Sequence, residues 1–169
     1  PLLLKIRKEE NSDIETITAV TKAAFKNMKI SNQTEHFIIK RLRSAGVLTL
    51  SLVAEIEGEL VGHIAFSPVK ISDGTPNWFG LGPVSVKPEF QGRGIGSKLI
   101  KEGLSVLREK NAAGCVLVGH PEYYRRFGFK NCDKLKHEGV PHEAFFVLPF
   151  DNELPEGQVR FHKAFLADS

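Results

Sequence analysis

The stretch Gln91-Gly92-Arg93-Gly94-Ile95-Gly96 decides how the centre of this chain folds. It lies between a strand-like run at residues 81–86 and a helical pattern that opens at Ser97. Glycines that alternate with larger residues let the backbone approach a ligand closely. The helix that follows turns its unpaired N-terminal N–H groups toward the same point, and anions bind well there. The stretch therefore predicts an anion-binding turn between a strand and a helix.

Strands and helices follow one another on both sides of this turn. Apolar runs predict strands at about residues 3–7, 48–56, 60–66, 78–86, 115–118 and 143–149. Helical spacing predicts one helix after the polar caps at 11–15, with apolar positions from Ile14 to Phe25, and two more over about 33–44 and 97–110. A hairpin turn at 57–59, a polar loop at 71–77 and a less regular terminus complete the chain. This order predicts an α/β fold with a mixed, mostly antiparallel central sheet flanked by helices.

The dipeptide Gly82-Pro83 interrupts the fourth predicted strand. Proline has no N–H to give to a sheet ladder, so it is confined to bulges and edges. We expect a bulge or an edge that splays the sheet at this fourth strand. The N–H of Val84 or Val86 would then be free to face a ligand.

Length and composition favour a single domain over residues 1–169. Hydrophobic residues make up 41% of the chain, which suffices for a substantial core. No run approaches the roughly 20 apolar residues that span a bilayer, and residues 1–4 are too short for a signal-peptide core. We expect a full-length, unprocessed, soluble protein with no membrane partner. With only Cys115 and Cys132, a reduced cytoplasmic setting is favoured over a disulfide framework.

The net charge of +3 suits an anionic small ligand and is also compatible with nucleic acid. Lysines and arginines are interleaved with acids, whereas a nucleic-acid binder needs clustered basic and aromatic residues. We therefore expect no nucleic-acid partner. We also expect no metal, because His137 and His142 lack a third ligand at a suitable spacing, and His63 sits in an alternating strand where a core histidine fits better.

Two sequence blocks carry a family resemblance. Gln91, Gly94 and Gly96 match a Gln/Arg-x-x-Gly-x-Gly pattern after a hydrophobic strand, and Tyr124 begins a Tyr-x-x-x-Gly-Phe segment that ends at Phe129. Both blocks resemble the signature of the GCN5-related N-acetyltransferase (GNAT) family. The tail at 140–146 and 159–165 is similar to the predicted acetyltransferases of the YhbS type. The resemblance implies the GNAT-like acyl-CoA N-acyltransferase fold, with acetyl-CoA as the cosubstrate.

The resemblance also implies which residues bind acetyl-CoA. In this family the strand that matches residues 84–86 binds the pantetheine arm, the glycine turn binds the pyrophosphate, and the tyrosine lies beside the CoA sulfur. The expected cofactor-binding residues are Val84, Ser85, Val86, Gln91, Gly92, Arg93, Gly94, Ile95, Gly96, Ser97 and Tyr124.

Acetyl transfer to an amine needs an acid for the departing thiolate and an acceptor for the amine proton. Tyr124 is the expected acid, because a phenol pKa of about 10 lies close above a thiol pKa of about 8.5. Solvent, His120 or Glu122 is expected to accept the amine proton. A structural interpretation stays open for all three residues. Tyr124 would then pack a helix onto the sheet, His120 would end the strand, and Glu122 would cap a short helix opened by Pro121.

The prediction is an acetyl-CoA-dependent N-acetyltransferase whose primary amine substrate attacks the thioester directly. No covalent enzyme intermediate is expected, since Cys115 and Cys132 lie outside both blocks. We expect the amine pocket to involve the first two helices, residues 73–77 and the segment 134–142. Glu35, at the start of the second helix, is expected to act as a cap. An exposed strand would allow a homodimer.

Other classes of protein also use glycine-rich turns. A dinucleotide-binding oxidoreductase is disfavoured, because the glycine spacing differs and no ribose-binding acid follows at the usual distance. A nucleotide P-loop is disfavoured, because Gly96-Ser97-Lys98 reverses the required Lys-Ser order. A non-catalytic acyl-CoA sensor or interaction module of the same fold stays open, because a fold does not determine an activity.

Overall fold

The computed structural model describes residues 3–169, which fall into two compact units. Unit 1 holds residues 3–66, 82–103 and 163–169, and unit 2 holds residues 67–81 and 104–162. Pro1 and Leu2, which begin the segment judged too short for a signal peptide, lie outside the described residues. The single domain over residues 1–169 stays a prediction.

The described residues form three α-helices and nine strands. The helices are α1 (Ile14–Phe25), α2 (Glu35–Ser44) and α3 (Ile95–Glu109). The strands are β1 (Leu4–Lys8), β2 (Leu50–Ile56), β3 (Glu59–Pro68), β4 (Lys70–Ile71), β5 (Trp78–Val86), β6 (Gly114–Val118), β7 (Leu135–Lys136), β8 (Phe145–Pro149) and β9 (Gly157–Arg160). A six-stranded sheet has the order β1-β2-β3-β5-β6-β8, and a three-stranded sheet has the order β4-β9-β7. In the larger sheet β5–β6 is parallel, whereas β1–β2, β2–β3 and β6–β8 are antiparallel. The predicted mixed, mostly antiparallel α/β fold is confirmed.

In unit 1 a tight hairpin joins β2 to β3. Glu57 and Gly58 form its turn with φ angles of 51° and 82°. This pair of left-handed residues matches the twist of the two strands, which is why a glycine stands at the second position. Helices α1 and α2 pack on one face of the hairpin through a shared apolar core of Ile17, Val20, Ile39, Val53 and Leu60.

The opposite face of β3 packs against α3 at Gly62. Val53 pairs with His63, so both side chains point toward α1 and α2, and the neighbouring Gly62 points the other way. A Cβ at Gly62 would lie 3.1 Å from Leu99 Cδ1 and 3.3 Å from Ile95 Cγ2. Glycine at this position therefore lets the first turns of α3 lie close to the strand.

Unit 2 is built around a second apolar core. Strands β6 and β8 pair along five residues, from Gly114 opposite Pro149 to Val118 opposite Phe145. Trp78 is 1% exposed, and a Cβ at Gly114 would collide with its indole ring. The core consists of Val69, Ile71, Trp78, Val116, Leu135, Phe145, Val147 and Val159. Its members come from both sheets, so this core joins β4-β9-β7 to β6 and β8.

The sequence prediction differs from the structure in three places. It missed β7 and β9, and it placed Lys70–Ile71 (β4) at the edge of a loop. These strands are too short to show a period, and they form because they pair, as Ile71 does with Val159 and Leu135 with Gly157. Helix α3 begins at Ile95 and not at Ser97. Gly94, with φ of 81°, is the last residue of the turn, so helical geometry starts directly after it.

Candidate active site

Strand β5 carries the first part of the candidate site. It runs antiparallel to β3, because the Lys87 N–H donates to the Val61 carbonyl at 2.8 Å and the Val69 N–H donates to the Trp78 carbonyl at 3.0 Å. Between these two bonds β3 advances eight residues and β5 advances nine. The extra residue is a bulge in β5, and the strand contains a cis peptide bond between Gly82 and Pro83. The bulge is confirmed, whereas the alternative of an edge is wrong, since β5 lies between β3 and β6.

The glycine turn after β5 leaves open space in front of its backbone. Gly92 and Gly94 have φ angles of 79° and 81°, and no heavy atom lies within 4 Å of a Cβ built on either. Only glycine adopts this left-handed backbone without strain. The Gln91 side chain donates from Nε2 to the Val86 carbonyl at 2.9 Å, which ties the turn to the end of β5. The Arg93 guanidinium lies over the Phe90 ring, 5.2 Å from its centre.

The N-terminus of α3 points a row of backbone amides out of this turn. The first helical hydrogen bond runs from the Lys98 N–H to the Gly94 carbonyl at 3.1 Å. The amides of Ile95, Gly96 and Ser97 therefore precede the intrahelical bonds and stand at the positive end of the helix. Ile95 is 3% exposed, so its side chain belongs to the core and only its amide is available to a ligand.

Tyr124 lies in unit 2 at the start of a 3-10 turn that runs from Tyr124 to Phe127. Its ring packs edge-on against Tyr123, with 5.0 Å between centres, and lies 6.0 Å from the Phe146 ring. A Cβ at Gly119 would collide with this ring, so glycine there makes room for it. Burial, reinforced by Tyr123, raises the pKa of Tyr124 to about 12. The phenol therefore stays protonated across the physiological pH range.

His120 and Glu122 are both exposed, and they contact each other locally. The Glu122 N–H donates to His120 Nδ1 at 3.2 Å, so the imidazole accepts a hydrogen bond inside a turn. The helical turn begins at Tyr124 and not at Pro121, so Glu122 lies before it. The interpretation of Glu122 as a residue in the first turn of a helix opened by Pro121 is therefore wrong.

A cavity in each unit lies near a segment that was predicted to hold the amine. The cavity in unit 1 has a volume of about 340 Å³ and lies between the end of α1 and the start of α2, where Glu35 and His36 line it. The Ser31 hydroxyl donates to the Glu35 carboxylate at 2.7 Å, so Glu35 stabilises the turn before its helix. Burial, and then the charge of Lys22, lower the pKa of His36. The cavity in unit 2, of about 690 Å³, is lined by His137, His142 and Phe145 among others.

Two further properties concern metals and membranes. Within residues 3–169, no group of three or more His, Cys, Asp and Glu side chains is arranged to hold a metal ion. Among the helices of the part that the structure describes, none combines the length and the apolar character needed to cross a membrane.

The acyl-CoA N-acyltransferase fold has these features: a mostly antiparallel sheet with a bulged central strand, a glycine turn, and a helix whose first amides are unpaired. The family model described as "Acetyltransferase (GNAT) domain" matches residues 5–132. The chain therefore belongs to the GNAT acetyltransferase family.

Solved structures and curated sequences extend this assignment. A GNAT family acetyltransferase from Brucella melitensis, solved with acetyl-CoA, is 50% identical, with a TM-score of 0.87 over 96% of this chain and 98% of that one. YhbS from Escherichia coli, solved with CoA, has a TM-score of 0.89 at 32% identity over 100% of this chain and 95% of that one. In sequence, the uncharacterized N-acetyltransferase YhbS of Escherichia coli K12 is 36% identical over 126 residues, which is 74% of this chain and 72% of YhbS. The GNAT fold and the similarity to YhbS are confirmed.

Proposed function

We propose that this GNAT N-acetyltransferase uses acetyl-CoA to acetylate a primary amine by direct attack on the thioester. The observation that carries the proposal is the open glycine turn at Gly92 and Gly94 with the unpaired amides of α3 behind it. Backbone amides at a helix N-terminus favour a diphosphate. The two related structures solved with acetyl-CoA and CoA support the same choice of ligand.

Unit 1 contains candidate partners for two parts of such a ligand, the anionic pyrophosphate and the polar pantetheine arm. In the proposal, the amides of residues 91–97 bind the pyrophosphate and those of Val84 and Val86 bind the pantetheine arm. Arg93 adds positive charge to the turn, and the side chain of Gln91 holds its backbone to the end of β5. When bound, acetyl-CoA supplies an activated thioester whose carbonyl a positioned strand amide can polarise.

Tyr124 is proposed as the proton donor to the sulfur that leaves. Burial keeps this phenol protonated at neutral pH, and the same rise in pKa to about 12 makes it a weaker acid than a free tyrosine. The amine proton passes to solvent, or to His120 or Glu122, whose side chains are exposed. The buried thiol of Cys115 has a raised pKa because of its burial, which disfavours a covalent route through that residue.

The proposal also includes an oligomeric state and a cellular location. A homodimer would form through an edge of the larger sheet, whose edge strands are β1 and β8. A cytoplasmic setting follows from the two free thiols, which suit a reducing compartment. Size-exclusion chromatography with light scattering measures the first, and fractionation of cells that express the chain measures the second.

The experiment that tests the proposal follows release of the CoA thiol from acetyl-CoA in the presence of a panel of amines. The panel contains small amine metabolites, amine-bearing antibiotics, peptides with a free N-terminus and a lysine-rich protein. Amine-dependent thiol release together with an N-acetylated product supports the enzyme. Tight acetyl-CoA binding without thiol release for any member would instead support the alternative, a non-catalytic acyl-CoA sensor or interaction module.

A further inference from the structure

A chain of polar side chains runs through the buried part of unit 1, on the face of the sheet that α1 and α2 cover. His63 in β3 is fully buried, and its Nε2 lies 2.7 Å from the Ser51 hydroxyl in β2. The Ser51 hydroxyl also lies 2.5 Å from a carboxylate oxygen of Glu9. The guanidinium of Arg43, near the end of α2, donates to that carboxylate at 2.8 Å and 3.2 Å. Three elements of unit 1, α2, β2 and β3, and the segment after β1 therefore meet in one series of hydrogen bonds.

The protons in this chain have one consistent arrangement. Burial alone would raise the pKa of Glu9, but the hydrogen bonds from Arg43 and Ser51 outweigh it and hold this pKa below its usual value. Glu9 is then an ionised carboxylate that only accepts. Ser51 has a single hydroxyl proton and donates it to Glu9, so its oxygen accepts from His63 Nε2–H. Burial lowers the pKa of His63 to about 4, so the imidazole is neutral, and its Nδ1 is unprotonated and needs a donor.

Among the described residues, three buried side-chain atoms have no hydrogen-bond partner: His63 Nδ1, Ser67 Oγ and Ser85 Oγ. Ser85 in β5 is 1% exposed. Lys87 pairs with Val61 on two antiparallel strands. Ser85, two residues before Lys87, therefore lies opposite His63, two residues after Val61. Opposite residues in such a pair project to the same face of the sheet. A buried acceptor without a donor thus lies beside a buried hydroxyl without an acceptor, and leaving either unpaired is costly.

We propose that the Ser85 hydroxyl donates a hydrogen bond to His63 Nδ1, directly or through one buried water, and that His63 is thereby a positioning residue for the acetyl-CoA strand. This role rests on the proposed function, in which the amides on both sides of Ser85, those of Val84 and Val86, bind the pantetheine arm. The hydrogen bonds then run from Ser85 through His63 and Ser51 to Glu9, where Arg43 holds the carboxylate. These hydrogen bonds together fix β5 to the end of α2.

The first arm of the test is NMR and needs no ligand. A long-range ¹H–¹⁵N spectrum of the imidazole is recorded for the wild type, Ser85→Ala and the control Ser67→Ala, which removes another buried hydroxyl that has no partner. We expect Nε2 to carry the proton in the wild type, and we expect the Nδ1 resonance to shift in Ser85→Ala and stay in place in Ser67→Ala. A proton on Nδ1 in the wild type, or an Nδ1 chemical shift that is unchanged in Ser85→Ala, would contradict the proposed hydrogen bond.

The second arm measures acetyl-CoA affinity by calorimetry. His63→Gln keeps an amide near Nε2 for Ser51 and removes the acceptor at Nδ1. We expect Ser85→Ala and His63→Gln each to raise Kd about fivefold, the size of one hydrogen bond. The double variant should bind acetyl-CoA no more weakly than either single variant, because the two substitutions remove the same hydrogen bond. Ser67→Ala should stay within about twofold of the wild type.

The outcomes separate the two proposals. If the wild type does not bind acetyl-CoA, the proposed function fails, while the NMR arm still decides whether Ser85 donates to His63. If the wild type binds and both single variants bind equally well, the hydrogen bond has no positioning role. If His63→Gln does not fold, the conservative Ser85→Ala variant carries the affinity test alone.

Discussion

Tyr124 is protonated at neutral pH, because burial raises its pKa to about 12, and its ring is held by aromatic neighbours. In Tyr124→Phe the same ring packing is kept and the proton is lost. We expect kcat to fall by about tenfold or more, as for loss of a general acid, with an acetyl-CoA Kd within about twofold of the wild type. Steady-state kinetics and calorimetry measure the two values.

Tyr123→Phe is the matched control for this residue. Tyr123 contacts the Tyr124 ring and lies one position earlier in the same turn. Its kcat should remain near that of the wild type. Equal kcat values for Tyr124→Phe and the wild type would remove Tyr124 from the mechanism and leave it the packing role that the sequence also allowed.

His63 should make the stability of the protein depend on pH. Burial lowers the pKa of folded His63 to about 4; the charge of Glu9 opposes this shift and that of Arg43 adds to it. In the unfolded chain the pKa is near 6.5. Between these values the unfolded state binds more protons, so the stability is fully present above pH 6.5 and is lost as pH falls toward 4. This group alone lowers the free energy of unfolding by about 3 kcal/mol across that window. Urea unfolding from pH 7 to pH 4 should show the loss in the wild type.

The same titration on His63→Gln isolates the histidine, because Glu9 and Asp13, whose pKa values are both lowered, keep their charges in either protein until pH falls below the ordinary carboxyl range. The difference between the variant and the wild type should shrink as pH falls. A constant difference from pH 7 to pH 4 would contradict a buried neutral His63.

At the scale of elements, the close contact between α3 and the sheet depends on glycines that face it. Gly103 is one, since a Cβ there would collide with the ring of Phe66, which is fully buried. Alanine favours a helix over glycine by about 1 kcal/mol, yet overpacking a core costs about 1–3 kcal/mol. We expect Gly103→Ala to lower the free energy of unfolding in urea. Ser105→Ala, at an exposed position of the same helix, should leave it unchanged or slightly higher.

Most of the long elements could be predicted from the sequence, because their apolar spacing is regular. The strand at 78–86 and the helices at 14–25 and 33–44 match the structure to within two residues. The strands β4, β7 and β9 could not be predicted, because two to four residues show no period and their partners are far apart in the chain, as with Ile71 and Val159. The start of α3 was placed two residues late, since nothing local showed that helical geometry begins directly after Gly94.

Some parts of the candidate site could be predicted from the sequence and others could not. Residues 91–97 form one continuous motif, so their turn and helix could be predicted from the sequence, and the roles of the residues in ligand binding stay predictions. The hydrogen bonds among Arg43, Glu9, Ser51 and His63 could not be predicted, because they join directly bonded residues up to 42 positions apart. The hydrogen bond from Gln91 to Val86 was also missed, although a polar residue at the start of a glycine turn is a local signal.

For the whole molecule, the proposed function depends on acetyl-CoA binding through the glycine turn. Gly94 and Gly58 have nearly equal φ angles of 81° and 82°, and a Cβ on either would meet no atom within 4 Å. Alanine therefore strains the backbone equally at both positions, while only Gly94 lies where the pyrophosphate is proposed to bind. The pair separates a ligand contact from a loss of stability.

The most direct measurement is a calorimetric titration of acetyl-CoA, CoA and NAD into the wild type, Gly94→Ala and Gly58→Ala. We expect both CoA ligands to bind the wild type and Gly58→Ala alike, and NAD to bind neither. Gly94→Ala should bind the CoA ligands about tenfold more weakly or worse, the effect of losing one amide contact to a charged group. No binding of either CoA ligand to the wild type, or equal binding to Gly94→Ala, would contradict the account.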